Sequence, residues 1–478
     1  MNVCGIDVGT TAVRVAVCAP DGQVLSSSAC PLPRVRSVGP RREQDARAWW
    51  HAVAAALRAA LVRTSAAEIG SVAVDGTSGT VVLVDANLVP VSAGILYNDG
   101  RAAGYGARID AVAGEFIERH GYGFKDNFAL PRLLWLAEHD PSFGGARWAL
   151  HQSDFINARL AGGVTATDWS TALKTGCDLH RGVWADFVGD RIGFPRERLP
   201  SDIVGPGVPL GVVCREAAAK TGLRMGTVIV AGATDGTAAL FASGARQPGD
   251  FNTVLGSTIT VKGVTPNLVR DAEGVVYCHR HPAGYWLPGG ASNVGCAALD
   301  RRFAPDPGQR AVALRALDAA ADRHLPSAVA VYPLGDAAEE RFPFRKTGLG
   351  EFMAGEAATE EALYAAYLQG IAFVERWCYE KLAALGVVVE RLFSTGGGSK
   401  SGVWNRVRAD VLRRPLCLPE QAETAFGAAI LAAGRVHGSV ERAAAAMVRI
   451  REQVEPGPRS FDEAYARFRA ECAKRWGV

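Results

Sequence analysis

Ten cysteines are scattered through 478 residues, and no two stand in a CxxC pair. Without that spacing a structural zinc site has no ligand set. Long hydrophobic runs are also missing. No stretch reaches the ~18 apolar residues that a membrane-spanning helix requires. Charge of one sign is scarce, with 52 Lys+Arg against 49 Asp+Glu and a net charge of +3. So small an excess gives no footprint for nucleic acid or an acidic membrane surface. The GxxxxGK[ST] phosphate loop occurs nowhere. The triple glycine Gly396-Gly397-Gly398 lacks the acidic residue that a dinucleotide fold places at a fixed distance beyond it. No charged leader with a cleavage site precedes the first apolar run, so the cytoplasm is the expected compartment.

What is present is an ordinary globular balance, 48% apolar and 21% charged. The length exceeds one ordinary core and predicts two domains. Two glycine-hydroxyl turns lie about half a chain apart: Asp7-Val8-Gly9-Thr10-Thr11 and Leu255-Gly256-Ser257-Thr258. Each follows an apolar run and leads into an alternating one, which reads as strand, tight turn, strand. Such turns offer backbone N–H groups and hydroxyls without bulk, which suits a phosphate. One alone mostly closes a hairpin. Two related turns suggest a duplicated phosphate-binding fold.

The first segment reads as a meander: strands at Val3–Ile6 and Val13–Val17, a turn at Asp21-Gly22, and a strand from Val24. A helix is predicted over Ala46–Leu61, then strands at Ser71–Asp75 and Val81–Asp85. The section from 104 to 162 reads as helical, and 163–205 as an insertion with little periodicity. A strand at Val228–Ala231 enters a helix that Gly244 stops. After a junction at Arg246–Asp250 the meander restarts at Phe251. A long helix follows near Glu360–Leu385, then a strand at Val389–Phe393 and a helix at Val403–Leu412. The last 30 or so residues read as a charged helical arm. Strands alternating with helices give an α/β class.

Several residues are candidates for chemistry. Asp7 ends the first strand; its carboxylate either closes its own loop or holds Mg²⁺ beside a triphosphate. Asp235 stands at a helix start, where it is either a cap or a base for a sugar hydroxyl. The three glycines permit close backbone approach to a ring or a phosphate. Trp404 borders an adenine or belongs to the core. Asn98-Asp99-Gly100-Arg101 is a polar turn or a polyol site offering donors and acceptors, with Thr77 and Ser78 nearby in sequence. His151 and the other tryptophans receive no role.

Taken in order along nearly the whole chain, these residues resemble the FGGY carbohydrate kinases, of the actin-like ATPase superfamily. The resemblance lies in Asp7 to Thr11, in Gly232-Ala233-Thr234-Asp235-Gly236, in Leu255 to Thr258, and in Gly396 to Gly398 followed by Ala409-Asp410-Val411-Leu412. It extends to Pro131-Arg132-Leu133-Leu134-Trp135, with Arg132 where the family usually has lysine.

The resemblance implies two actin-like (ribonuclease H-like) domains flanking a catalytic cleft. The expected division is a sugar-binding domain over 1–245, an ATP-binding domain over 246–440 and a helical arm over 441–478. Asp235 resembles the family's general base. Asp7 with Gly9, Thr10 and Thr11 resembles the phosphate and metal loop. Asp7 and Asp235 are the expected magnesium-side carboxylates. Gly256, Ser257 and Thr258 resemble a second phosphate loop, and Gly397, Gly398, Ser401 and Trp404 the nucleoside segment. Asp7, Ser78, Asp99 and Asp235 are the expected sugar contacts. ATP, Mg²⁺ and a small sugar are the implied ligands, with a homodimer as a compatible assembly. Asp75 to Gly79, Tyr97 to Arg101 and Thr171 to Gly176 look most like D-ribulose kinases. Xylulokinases carry Gln-Met-His-Gly where Gly76 to Gly79 stand here. Rival readings are a kinase for D-xylulose or another polyol, and a non-catalytic actin-fold protein that only binds nucleotide.

Overall fold

The structure is a computed structural model and describes residues 1–306, 308, 310–335 and 338–478. It divides into two compact units. Unit 1 comprises Met1–Arg246, His279–Trp286 and Gln421–Val448; unit 2 comprises Gln247–Cys278, Leu287–Glu420 and Arg449–Val478.

The main sheet of unit 1 is built from β1 (Asn2–Val8), β2 (Ala12–Cys18), β3 (Val24–Pro31), β4 (Ile69–Gly76), β5 (Pro209–Val212) and β6 (Val228–Val230), in the order β5-β6-β4-β1-β2-β3. The meander β1-β2-β3 is antiparallel, while β1, β4 and β6 run parallel. The central strand β1 is buried from Val3 to Val8. Its near-continuous apolar run is what a strand covered on both faces requires.

Helix Ala46–Leu61 covers one face, packing on β2 and β3. The Asp45 carboxylate accepts the Arg47 N–H and caps its start. Trp49, Val53, Ala56, Leu57 and Ala60 form its buried stripe. Helix Thr424–His437 packs on β1 and β4. Gly5 is required there: a Cβ at that position would run into the backbone of Ala425 and Ala429. The Ser71 hydroxyl donates to the Ala432 carbonyl at 2.9 Å, tying β4 to the same helix.

Unit 2 repeats the plan. Its sheet contains β7 (Asp250–Leu255), β8 (Ile259–Gly263), β9 (Tyr277–Arg280), β10 (Trp286–Ala291), β11 (Arg391–Thr395), β12 (Leu416–Pro419) and β13 (Ile450–Val454), ordered β9-β10-β8-β7-β11-β12-β13. Strand β7 pairs antiparallel with β8 and parallel with β11, as β1 does with β2 and β4. The two glycine-hydroxyl turns therefore occupy equivalent places, between the first two strands of each sheet.

Three expectations need correction. Residues 421–448, assigned to the ATP-binding domain and the start of an arm, belong to unit 1. Their helices Thr424–His437 and Val440–Met447 bury alanine, isoleucine and leucine side chains in its core. There is no continuous helical arm either. Ile450–Val454 pairs with β12 as an edge strand, its exposed Arg451 and Glu452 suiting that position. Helix Asp462–Trp476 packs its aromatic face in unit 2, with Phe468 stacked on Tyr332 at 5.8 Å. Finally, the helical section from 104 to 162 is interrupted by strand Trp148–His151. That strand pairs with Val81–Val84 in a separate five-stranded sheet.

Candidate active site

Strand register brings the acids of unit 1 together. Asp7 on β1 lies directly opposite Asp75 on β4. The next residue of β4, Gly76, bridges to Thr234, immediately before Asp235. Three carboxylates thus sit at the same ends of three neighbouring parallel strands. In open α/β sheets this carboxyl edge is where ligands bind.

Asp7 is 6% exposed and Asp75 is fully buried. No N–H or O–H donor from another residue reaches either oxygen of Asp75. Its partner is the Asp7 carboxyl group, and two carboxyl groups can bond only when one carries a proton. Burial is the main cause that raises Asp75 well above the usual carboxylate range, reinforced by the charges of Asp7 and Asp235. Burial also pushes Asp7 up to about 6, against the lowering contacts of Asp75 and Arg14. The more deeply buried Asp75 is the member that keeps the proton.

Asp235 is the first residue of helix Asp235–Ser243, and Thr234 occupies the cap position. The Asp235 carboxylate is half-buried and accepts the Gly236 N–H at 2.7 Å. It is therefore not a plain cap. Upstream, the Asp168 carboxylate accepts Ser170 O–H at 2.5 Å, and Ser170 Oγ in turn accepts the Thr234 N–H at 3.0 Å. This chain fixes the loop that carries Asp235.

Ser78 lies in the turn that follows β4, three residues beyond Asp75. Its hydroxyl is buried and without a partner, while its carbonyl accepts Lys174 Nζ at 3.1 Å. The next residue, Gly79, has φ +94, where a side chain is strained. Arg132 donates to the carbonyls of Gly79 (2.7 Å), Asn127 (2.8 Å) and Tyr97. A lysine lacks the planar fork that reaches several carbonyls at once.

Asp99 behaves otherwise than expected of a sugar contact. Its carboxylate accepts Arg42 N (2.7 Å), Arg101 N (3.0 Å) and both Arg101 Nε and Nη2 (2.9 Å). These bonds to Arg101 and Arg42 hold its pKa below the usual value despite the burial that opposes them. Asp99 shapes the loop and has little acceptor capacity left for a ligand. His151, which the sequence left unassigned, is buried between Asp154 Oδ2 (2.9 Å) and Thr175 Oγ1 (2.8 Å).

In unit 1 the turn Gly9-Thr10-Thr11 is closed by Gly9 N–H to Ala12 O at 3.2 Å. In unit 2 the turn Gly256-Ser257-Thr258 is closed by Gly256 N–H to Thr258 O at 3.1 Å. Ser257, like Thr11, is exposed. The nucleoside candidates split. A Cβ on Gly397 would meet open space, whereas one on Gly398 would press on Leu255 and Trp404. Ser401 caps helix Gly402–Leu412 by accepting the Trp404 N–H at 3.1 Å. Trp404 is 2% exposed and donates its indole N–H to Leu368 O at 3.1 Å. It is a core side chain beneath the glycine loop, not a wall for adenine.

The profile of the FGGY family of carbohydrate kinases matches this chain twice, its N-terminal domain over residues 2–242 and its C-terminal domain over 251–435. The chain belongs to this family. FGGY kinases use ATP, and this member is an ATP-dependent sugar kinase with the family's two-domain, actin-like α/β fold. The xylulose kinase of Streptomyces rubiginosus is 29% identical over 465 residues, covering 91% of this chain and 88% of that protein. The autoinducer-2 kinase of Enterobacter sp. (strain 638) is 28% identical, covering 89% of this chain and 84% of its own length. Among solved structures, the xylulose kinase of Rhodospirillum rubrum superimposes with a TM-score of 0.87 at 27% identity and covers 99% of both chains.

Sequence reasoning missed Asp75 as a member of the acid cluster. The signal was available in form: β1 and β4 both end in an acid followed within two residues by glycine.

Proposed function

We propose that this FGGY kinase phosphorylates a terminal hydroxyl of a ketopentose, with D-ribulose preferred over D-xylulose. The observation that carries the phosphoryl-transfer chemistry is the convergence of Asp7, Asp75 and Asp235 on one sheet edge. Asp235 is the acid of the three with solvent access, and it accepts the sugar hydroxyl proton as the oxygen attacks the γ-phosphorus. The new O–P bond forms as the bond to the β,γ-bridging oxygen breaks, and ADP leaves.

Asp7 is the residue that would hold magnesium. Among the described residues no three acid, histidine or cysteine side chains form a complete metal cage. Mg²⁺ does not need one, because it takes one or two carboxylates and fills its shell with water and phosphate oxygens. An acid cluster with donor-free oxygens on Asp75 suits a divalent cation nearby. Bound there, the ion would neutralise charge on the phosphate oxygens. The Gly9 to Thr11 turn of unit 1 offers hydroxyls and its remaining backbone N–H groups to a phosphate, and the Gly256 to Thr258 turn of unit 2 is built alike. The expected setting is the cytoplasm.

The D-ribulose preference rests on the loop Thr77-Ser78-Gly79, which presents a small, unpaired hydroxyl. D-Xylulose is the second reading, favoured by relatives named xylulose kinase. Coupled ADP release over D-ribulose, D-xylulose, pentitols and glycerol decides between them. A higher kcat/KM for D-xylulose would overturn the ribulose preference. No ADP release with any of these substrates would leave the ketopentose reading without support.

A further inference from the structure

A directed chain of hydrogen bonds fixes one buried amide beside the acid cluster. It starts at the Tyr97 backbone N–H, which can only donate, and which reaches Thr80 Oγ1 at 3.2 Å. Thr80 Oγ1 and Thr77 Oγ1 lie 2.6 Å apart. Thr77 Oγ1 lies 2.8 Å from Gln152 Oε1, and the Thr77 backbone N–H also points at Gln152 Oε1, at 3.0 Å. Because that backbone N–H must donate, the atom facing Thr77 is the amide oxygen. Thr77 then donates its hydroxyl proton to Gln152, and Thr80 donates to Thr77. The orientation of the Gln152 amide is therefore set by its neighbours.

The consequence falls on the other end of the amide. Gln152 is 1% exposed, and its Nε2 has no acceptor. Two N–H donors are held in place, buried and unused. Buried polar groups are nearly always paired, so such a group calls for a cause. Its position supplies one. The Gln152 side chain packs against Gly76, its Oε1 3.3 Å from where a Cβ on that glycine would stand. Gly76 is flanked in sequence by Asp75 and Thr77, and bridges to the residue preceding Asp235. A second unpaired buried group, the Ser78 hydroxyl, lies two residues beyond the same strand end.

We infer that Gln152 is a substrate-binding residue whose Nε2 donates to an oxygen of the open-chain ketose, either a hydroxyl or the carbonyl. Ser78 Oγ offers the neighbouring contact. The inference rests on the sugar-kinase reading of this site and deepens it by naming the donor that discriminates among ketose isomers. A misplaced hydroxyl would leave the amide unpaired, and an unpaired buried donor is what makes a polar site selective.

The test uses the full chain and two variants. Gln152→Glu keeps an oxygen for Thr77 and removes both donors. Gln152→Met keeps the length and removes the donors without adding charge. Steady-state kinetics are measured with D-ribulose and D-xylulose, varying sugar and ATP separately, together with the thermal midpoint of each protein. The expected result is a sugar KM raised about 10- to 100-fold in whichever variant folds, with the ATP KM changed less than about threefold. The wild type is also assayed with singly deoxygenated ketopentoses. One of them should lose about 10- to 100-fold in kcat/KM, and that loss should vanish in the variants.

An unchanged sugar KM in a folded variant would overturn the inference and leave Gln152 as a brace for Thr77. So would failure of both variants to fold, or a deoxy penalty that persists in them, because either shows a role other than donation to the sugar. A wild type that phosphorylates no ketopentose would remove the substrate reading itself, an outcome distinct from unchanged variants of an active enzyme.

Discussion

Replacing Asp75 with asparagine should stabilise unit 1 at neutral pH and leave it nearly unchanged in acid. Asparagine has the same shape, and its amide N–H can replace the carboxyl proton that Asp75 shares with Asp7. What disappears is a titration. The folded-state pKa of Asp75 lies well above the ordinary value of 3.8. A carboxyl group raised in this way contributes stability that is fully present below its unfolded pKa and is lost as pH rises towards its folded pKa. Over that interval the folded state holds a proton that the unfolded state has released, so stability falls by about 1.4 kcal/mol per pH unit. The wild type should therefore lose stability relative to the variant as pH rises from the unfolded value of Asp75 towards its raised folded value. Asp7, raised to about 6, adds its own loss between its unfolded value and that pH. Hydrogen exchange of peptides from β1 and β4, corrected for intrinsic rates, reads this unit by itself. Measurements are made in EDTA without nucleotide, because a bound cation would favour the ionised pair. Parallel pH profiles for wild type and Asp75→Asn, or a variant less stable at pH 7, would refute the shared proton.

Three further outcomes follow from the same contacts. Asp235→Asn should retain sugar affinity by calorimetry while kcat falls about 10²- to 10⁴-fold, and near-normal turnover would remove it as the base. Gly5→Ala should destabilise by about 1–3 kcal/mol or more, since helix Thr424–His437 must move to admit the methyl group; thermal midpoints within a degree of wild type would count against that contact. Arg408 and Glu375 are fully buried, with paired contacts of 2.6 and 2.7 Å, so Arg408→Met should cost about 3–5 kcal/mol by leaving Glu375 unpaired. Denaturant unfolding with retention of that stability would show that the pair is expendable.

The parts legible in the sequence were those set by local pattern. The helix at Ala46–Leu61 carries its own apolar stripe and cap, and its bounds agree with the reading. The two glycine-hydroxyl turns announced the duplicated sheet because each lies between strands adjacent in sequence. Asp75 was harder, because its partnership with Asp7 depends on the register of strands about 60 residues apart, which no local pattern fixes. Trp404 was open between an adenine border and the core, and it was the family resemblance that placed it and Ser401 in the nucleoside segment. Only the packing shows one under the loop and the other capping a helix. Helix Thr424–His437 was visible as a helix, but amphipathic periodicity does not say which sheet it will cover. Asp99 was a sound polar candidate whose acceptors turned out to be filled by Arg101 and Arg42.

That helix has a consequence for how the chain is made. Val3, Ala16, Cys18, Ala73 and Val230 share a buried cluster with side chains from the helices of 424–447. A ribosome delivers those strands early and their cover last. At about 5–20 residues per second, the nearly 200 residues between Arg246 and His437 take roughly 10–40 s to synthesise. Throughout that interval one apolar face of the nascent sheet stands bare, a template for aggregation and for chaperones. A nonsense mutation late in the gene would thus injure the beginning of the protein. A chain ending before Thr424 should emerge with its first sheet unsealed, however well the intervening unit folds.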